Sequence, residues 1–131
     1  MKVKILYKTV HNLNLKNLEE GEVKQDNELR LTLATEIFHN NKDATLVKFR
    51  YTVTTVIKDE VSVDLIYDFA FKSEDEITES FNESDTATVM IPNLAYPYIK
   101  SYIENILSIS GYKKINLPYI NFFEEPLKPV E

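Results

Sequence analysis

Two stretches of strict alternation, joined by three polar residues, constrain the fold of this chain more than any other feature. Over residues 45–57, Val47, Phe49, Tyr51, Val53 and Ile57 point one way, while Lys48, Arg50, Thr52 and Thr54 point the other. Over residues 61–72, Val61, Val63, Leu65, Tyr67, Phe69 and Phe71 repeat the pattern against Ser62, Asp64, Asp68 and Lys72. Strand side chains alternate sides, so each stretch reads as a strand with one core face and one wet face. The connection Lys58-Asp59-Glu60 leaves room only for a reversal, which makes the two strands antiparallel neighbours.

Two further strands precede them. Val3, Ile5 and Tyr7 face one way with Lys4 and Lys8 opposite, and the pattern continues less regularly to about Leu15. A polar loop containing Gly21 follows. Leu29, Leu31, Leu33 and Ile37 then face Glu28, Arg30, Thr32 and Glu36 across the next strand, and residues 39–43 read as a hairpin loop. Short connections predict an antiparallel meander.

After Lys72 the pattern changes. Residues 73–88 are acidic and polar around Ile77 and Phe81, which predicts a mobile connector with one helical turn or two. Tyr98, Tyr102, Ile106 and Ile109, with Ile99, Ile103 and Leu107 beside them, recur at spacings of three and four and predict a helix with a broad apolar face. Gly111 stops it. Pro92 and Pro97 suit no helix interior, so the helix either starts near Pro97 or bends there. The segment after Phe123 holds Pro126 and Pro129 and should be extended. The expected architecture is α+β in a single domain over residues 1–131. It comprises a four-stranded antiparallel meander sheet (about 3–72), an acidic connector (73–90), one main C-terminal helix packed on one face (about 94–110) and an extended tail (111–131).

Composition removes several function classes. Fifteen basic against 21 acidic residues give a net charge of −6, which repels a phosphate backbone and argues against nucleic acid as a partner. Ten of the carboxylates fall between Asp59 and Asp85, where Lys72 is the sole cation, and such runs are chiefly solvated surface. No cysteine is present, which excludes disulfides and thiolate chemistry and agrees with a cytoplasmic location. The alternating N-terminus does not read as a signal peptide, and no run of about eighteen apolar residues reads as a membrane span. The two glycines cannot build a phosphate-cradling loop. His11 and His39 stand apart from any nucleophile context, and no metal or cofactor is expected. Carboxylate pairs such as Asp64 and Asp68, on one strand face, are what an enzyme or carrier reading could use, and in a chain this acidic such spacing arises by chance.

What remains is an excess of aromatic surface. The last strand, the connector, the helix and the tail hold Tyr67, Phe69, Phe71, Phe81, Tyr96, Tyr98, Tyr102, Tyr112, Tyr119, Phe122 and Phe123. One helix on one sheet face has limited room for that load, so part of it should serve subunit contacts or a groove for another polypeptide.

The run Pro92-Asn93-Leu94-Ala95-Tyr96-Pro97-Tyr98, followed by the helix and then Ile115-Asn116-Leu117-Pro118-Tyr119-Ile120-Asn121-Phe122, resembles the C-terminal half of SecB. Members of that family are cytosolic chaperones that hold unfolded chains. The resemblance extends through the meander over residues 29–72 and implies a homotetramer, a dimer of dimers built through the helix and sheet edges. It implies a client groove, for which Phe69, Phe71, Phe81, Tyr96, Tyr98 and Tyr119 are the candidates, and a subunit interface through Tyr102, Ile103 and Ile106. Export-type members dock the motor SecA on acids of the first and fourth strands. Here residues 10–15 hold no acid and Ile66 takes the place of a fourth-strand glutamate, which leaves Asp64 and Asp68 as candidate docking acids. The family's second, C-terminal helix has no counterpart in the proline-containing tail. Other SecB-like proteins guard one client, such as an antitoxin. The expected function is therefore an ATP-independent holdase for unfolded polypeptides, serving export or one dedicated client. The alternative is an oligomeric binding or structural protein without general chaperone activity.

Overall fold

A computed structural model describes residues 1–130; Glu131, the last residue of the expected tail, lies outside the described residues. Four strands, β1 (Val3–Asn17), β2 (Leu29–His39), β3 (Leu46–Ile57) and β4 (Val61–Ser73), precede one helix, α1 (Ile91–Ile109). All neighbours in the sheet are antiparallel. Strands β2, β3 and β4 form the expected meander, with Ile57 to Glu60 closing the β3–β4 turn and Asp59 at φ 60°. Aspartate tolerates that left-handed conformation better than a β-branched residue would.

The first strand departs from a simple meander. β1 pairs with β4 rather than β2, so the order is β1-β4-β3-β2 and the loop after Asn17 crosses the end of the sheet. Gly21, at φ 77°, donates its N–H to Asp59 Oδ1 at 2.9 Å and holds that crossing in place. The facing of β1 also differs from expectation. Register shifts at Leu6 and His11 each insert an extra residue, so Val3, Ile5, Lys8, Val10, Leu13 and Leu15 share the inner face and Tyr7 turns outward. Such bulges reverse the alternation downstream.

The inner face is the core. Phe49, Tyr51, Phe69 and Phe71 are fully buried there and meet at ring-centroid separations of 5.6 to 6.3 Å, edge to face between Phe49 and Phe71 and between Tyr51 and Phe69, and stacked along each strand. Onto it α1 lays Ile99, Ile103 and Leu107, each inaccessible to solvent. The helix begins earlier than the proline argument suggests. Pro92 sits in its first turn, where a missing N–H costs nothing, and Pro97 is accommodated inside it. A π-helical turn over Thr86–Met90 leads into it. Its end is a Schellman motif, with Gly111 at φ 94°, Gly111 N–H donating to Ser108 O and Tyr112 N–H donating to Leu107 O at 3.0 Å.

The acidic connector is tied down rather than free. Phe81, in a 3-10 turn over Glu79–Glu83, is buried against Phe49 and His39. The tail packs along the helix and returns to the sheet, where Val130 N–H donates to Thr35 O of the β2 edge at 2.8 Å.

Candidate binding surface

The aromatic candidates divide by burial. Phe69 and Phe71 are core residues of β4, Phe81 is the connector's anchor, and Tyr96 is buried under the tail. All four are packed inside this subunit by stacked and edge-on aromatic contacts, and of them Tyr96 alone borders the cleft between helix and tail. Tyr98 and Tyr119 differ, at 43% and 82% exposed. Ile103, a candidate interface residue, is likewise core, whereas Tyr102 and Ile106 are half-buried.

The helix keeps the two exposed tyrosines on different sides. Tyr98 leans toward β1 and β4: its ring is tilted against Phe69 at 6.2 Å, and Lys8 Nζ lies 4.7 Å from its centroid. Tyr102 continues this side, edge-on to Tyr67 at 5.8 Å. With exposed Leu94 and Ile109, at 82%, they form a stripe along the solvent side of α1. The inner face of β1 alongside is only partly covered, since Ile5, Val10 and Leu13 are half-buried.

Tyr119 belongs to the opposite side, where the tail runs back along α1. Two hydrogen bonds hold that return: Tyr96 Oη donates to Pro118 O at 2.7 Å, and Leu117 N–H donates to Glu104 Oε2 at 2.7 Å. Burial, assisted by Glu104, pushes the Tyr96 phenol up to about 12, so it stays a donor at any physiological pH. Tyr96 meets Phe122 edge to face at 6.0 Å, and between helix and tail lies a mostly apolar cleft of about 150 Å³. Its lining includes Tyr96, Pro97, Lys100, Tyr119, Ile120 and Phe122. A cavity of this size takes one benzene-sized group, which suits a single apolar side chain better than a cofactor.

The candidate acids do not converge. Asp68 accepts two hydrogen bonds from Arg50, at 2.8 and 3.0 Å, and Lys48 stands 4.0 Å away. The Arg50 guanidinium holds the Asp68 carboxyl below the usual carboxylate range. Asp64 accepts from Thr54 Oγ1 at 2.9 Å. Among the described residues no group of three or more acidic or histidine side chains is placed to hold a metal, and no helix is long and apolar enough to cross a membrane.

Phe38 is a residue that the sequence reading passed over. It shares the parity of Arg30 and Glu36, and the register places it on the outer face beside Lys48. The signal was in the alternation of β2, where an aromatic residue among polar ones marks an exposed ring.

No protein-family model matches this chain, and no curated protein matches it in sequence. Its solved structural neighbours include the Mycobacterium tuberculosis Rv1957 SecB-like chaperone in complex with a ChAD peptide from the Rv1956 HigA1 antitoxin. That alignment has a TM-score of 0.75 and 16% identity, and covers 91% of this chain and 90% of that one. The fold is that of a SecB-like chaperone. A protein of unknown function from Streptococcus agalactiae shares it more loosely, at TM-score 0.56 and 16% identity over 91% of this chain and 98% of that one. The same fold is thus carried by sequences that share only 16% identity.

Proposed function

We propose that this chain is an ATP-independent holdase that captures exposed apolar segments of non-native polypeptides through α1 and the tail behind it. The observation that carries the proposal is the exposure, on one stretch of chain, of Leu94, Tyr98, Ile109, Tyr119 and Phe123. A monomeric protein rarely leaves that much apolar surface to water without using it. Capture is reversible and hydrophobic. Tyr119 stands at the mouth of the helix–tail cleft, which receives one client side chain, and Tyr98 offers a second contact toward β1. Tyrosine fits such a surface because its ring is apolar while its hydroxyl stays hydrated.

The working unit in this reading is a cytoplasmic homotetramer, with Tyr102 and Ile106 on the flank of α1 that meets another subunit. The neighbouring fold from Mycobacterium tuberculosis was solved with a peptide of an antitoxin, which supports a dedicated client of that kind over general export. Delivery to SecA through Asp64 and Asp68 is the weaker reading, because Asp68 is neutralised by Arg50. The same pairing disfavours the use of these acids as an enzyme's carboxylate pair.

A second reading has a specific observation in its favour. Leu94, Tyr98 and Tyr102 follow one another at helical i, i+4 spacing, which also suits helix-to-helix packing between subunits. Tyr98→Ala separates the two. Loss of client capture with unchanged oligomer mass supports the holdase, whereas dissociation assigns Tyr98 to the subunit contact. Purification from the native host should bring down a non-native chain or one antitoxin-like protein. Recovery without any associated polypeptide, under conditions that preserve the oligomer, would contradict the proposal.

A further inference from the structure

The outer face of the sheet, away from α1, carries charge opposite to the protein's own. By register its charged residues are Lys4 and Lys16 on β1, Arg30 and Glu36 on β2, Lys48 and Arg50 on β3, and Asp64, Asp68 and Lys72 on β4. Six cations face three carboxylates in a chain whose net charge is −6. The excess gathers at one end. Arg50 and Asp68 cancel, Lys16 is paired with Glu22 at 2.9 Å, and Lys72 is paired with Asp43 at 3.5 Å. Among the described residues Lys2 and Lys4 make no ion pair.

That end is built in two rows. In the first, Lys4 sits directly opposite Lys72, like charges that oppose the pairing, with Asp43 at 3.5 Å from Lys72 Nζ offsetting part of the repulsion. Lys2, Lys4 and Lys72, with Glu74 as the one carboxylate, border an open cleft of about 560 Å³. The second row runs Tyr7, Ala70, Lys48, Phe38 across all four strands. Ala70 is the small residue between larger neighbours, and an adjoining cleft of about 280 Å³ is lined by Leu6, Tyr7, Phe38, Lys48 and Ala70 among others. Leu6, Tyr7 and Phe38 are exposed, and Lys48 Nζ lies 5.0 Å from the Phe38 centroid.

We propose that this end of the outer face docks an acidic segment of a partner polypeptide that carries an apolar anchor. The partner's carboxylates meet Lys2, Lys4 and Lys48, and its anchor enters the dip over Ala70 between Tyr7 and Phe38. Charge complementarity selects the occupant: the lysines attract carboxylates, and the apolar dip between them has no use for a bare phosphate backbone. The surface lies on the face of the sheet opposite α1, so it works independently of client capture.

The test uses the full-length protein and a fluorescein-labelled peptide in which glutamate alternates with serine around one central phenylalanine, followed by anisotropy. Binding is expected, weakening about tenfold in K4E/K48E and on raising salt from about 50 to about 500 mM. Ala70→Leu should weaken it similarly by filling the dip. Lys4→Glu alone should raise Tm by about 2 °C, because the repulsion from Lys72 is relieved, while binding falls. A residue kept only for the fold would not trade stability for binding in this way. No binding to wild type, binding indifferent to K4E/K48E, or tighter binding of single-stranded RNA of equal charge would overturn the proposal. So would a change of oligomer mass in K4E/K48E, since that would make the face a contact between copies.

Discussion

Single side chains decide what this sheet can offer. Asp68 looks available in the sequence, but Arg50 closes on it from the next strand. The expected cost of Asp68→Asn is about 2 kcal/mol in urea denaturation, from charge-assisted hydrogen bonds that a neutral amide replaces poorly. Because its folded pKa is depressed, the contribution of Asp68 is complete above the unfolded carboxylate value of about 4 and disappears as pH falls through the lower folded value. Wild type should therefore lose an increment of stability below about pH 4 that the asparagine variant lacks. Tyr96→Phe deletes the hydrogen bond to Pro118 O and should cost about 1 kcal/mol. Hydrogen exchange should show faster opening of the tail around Leu117 in that variant, with β3 and β4 unchanged.

At the scale of elements, the faces of β2, β3 and β4 were legible because alternation is a local property and none of these strands carries a bulge. The place of β1 was not. Periodicity tells which side chains share a face and says nothing about which strand lies alongside, so pairing with β4 required the three-dimensional register. The inserted residue at Leu6 also turned Tyr7 outward, and no composition signal marks a bulge made without glycine. Aromatic surplus could likewise be counted without being placed. Phe69 and Phe81 proved to be core, while Tyr119, in a stretch lacking clear periodicity, proved exposed. Helix α1 has the same division along its length. Ile103→Ala should cost about 2–5 kcal/mol, as for other buried aliphatic truncations. Ile109→Ala, at a position facing solvent, should shift stability by less than about 0.5 kcal/mol. If Ile109→Ala instead unfolds the protein, the assignment of the solvent side of α1 is wrong.

The whole molecule presents two unlike faces over one core. The inner side, closed by α1 and the tail, holds the exposed apolar side chains on which the holdase reading rests; the outer side is polar and locally cationic. The SecB-like fold is common to this chain and the antitoxin-peptide-bound chaperone from Mycobacterium tuberculosis at only 16% identity. A core built by alternation allows sequences this different to share a fold, since many apolar residues satisfy the same pattern. The direct measurement is light scattering from a thermally aggregating model client, with and without stoichiometric protein, for wild type and for Tyr98→Ser/Tyr119→Ser. Suppression by wild type, lost in the double variant while its fold and oligomer mass are retained, is the predicted result. Equal suppression by both would contradict the assignment of capture to α1 and the tail, and no suppression by wild type would contradict the general holdase.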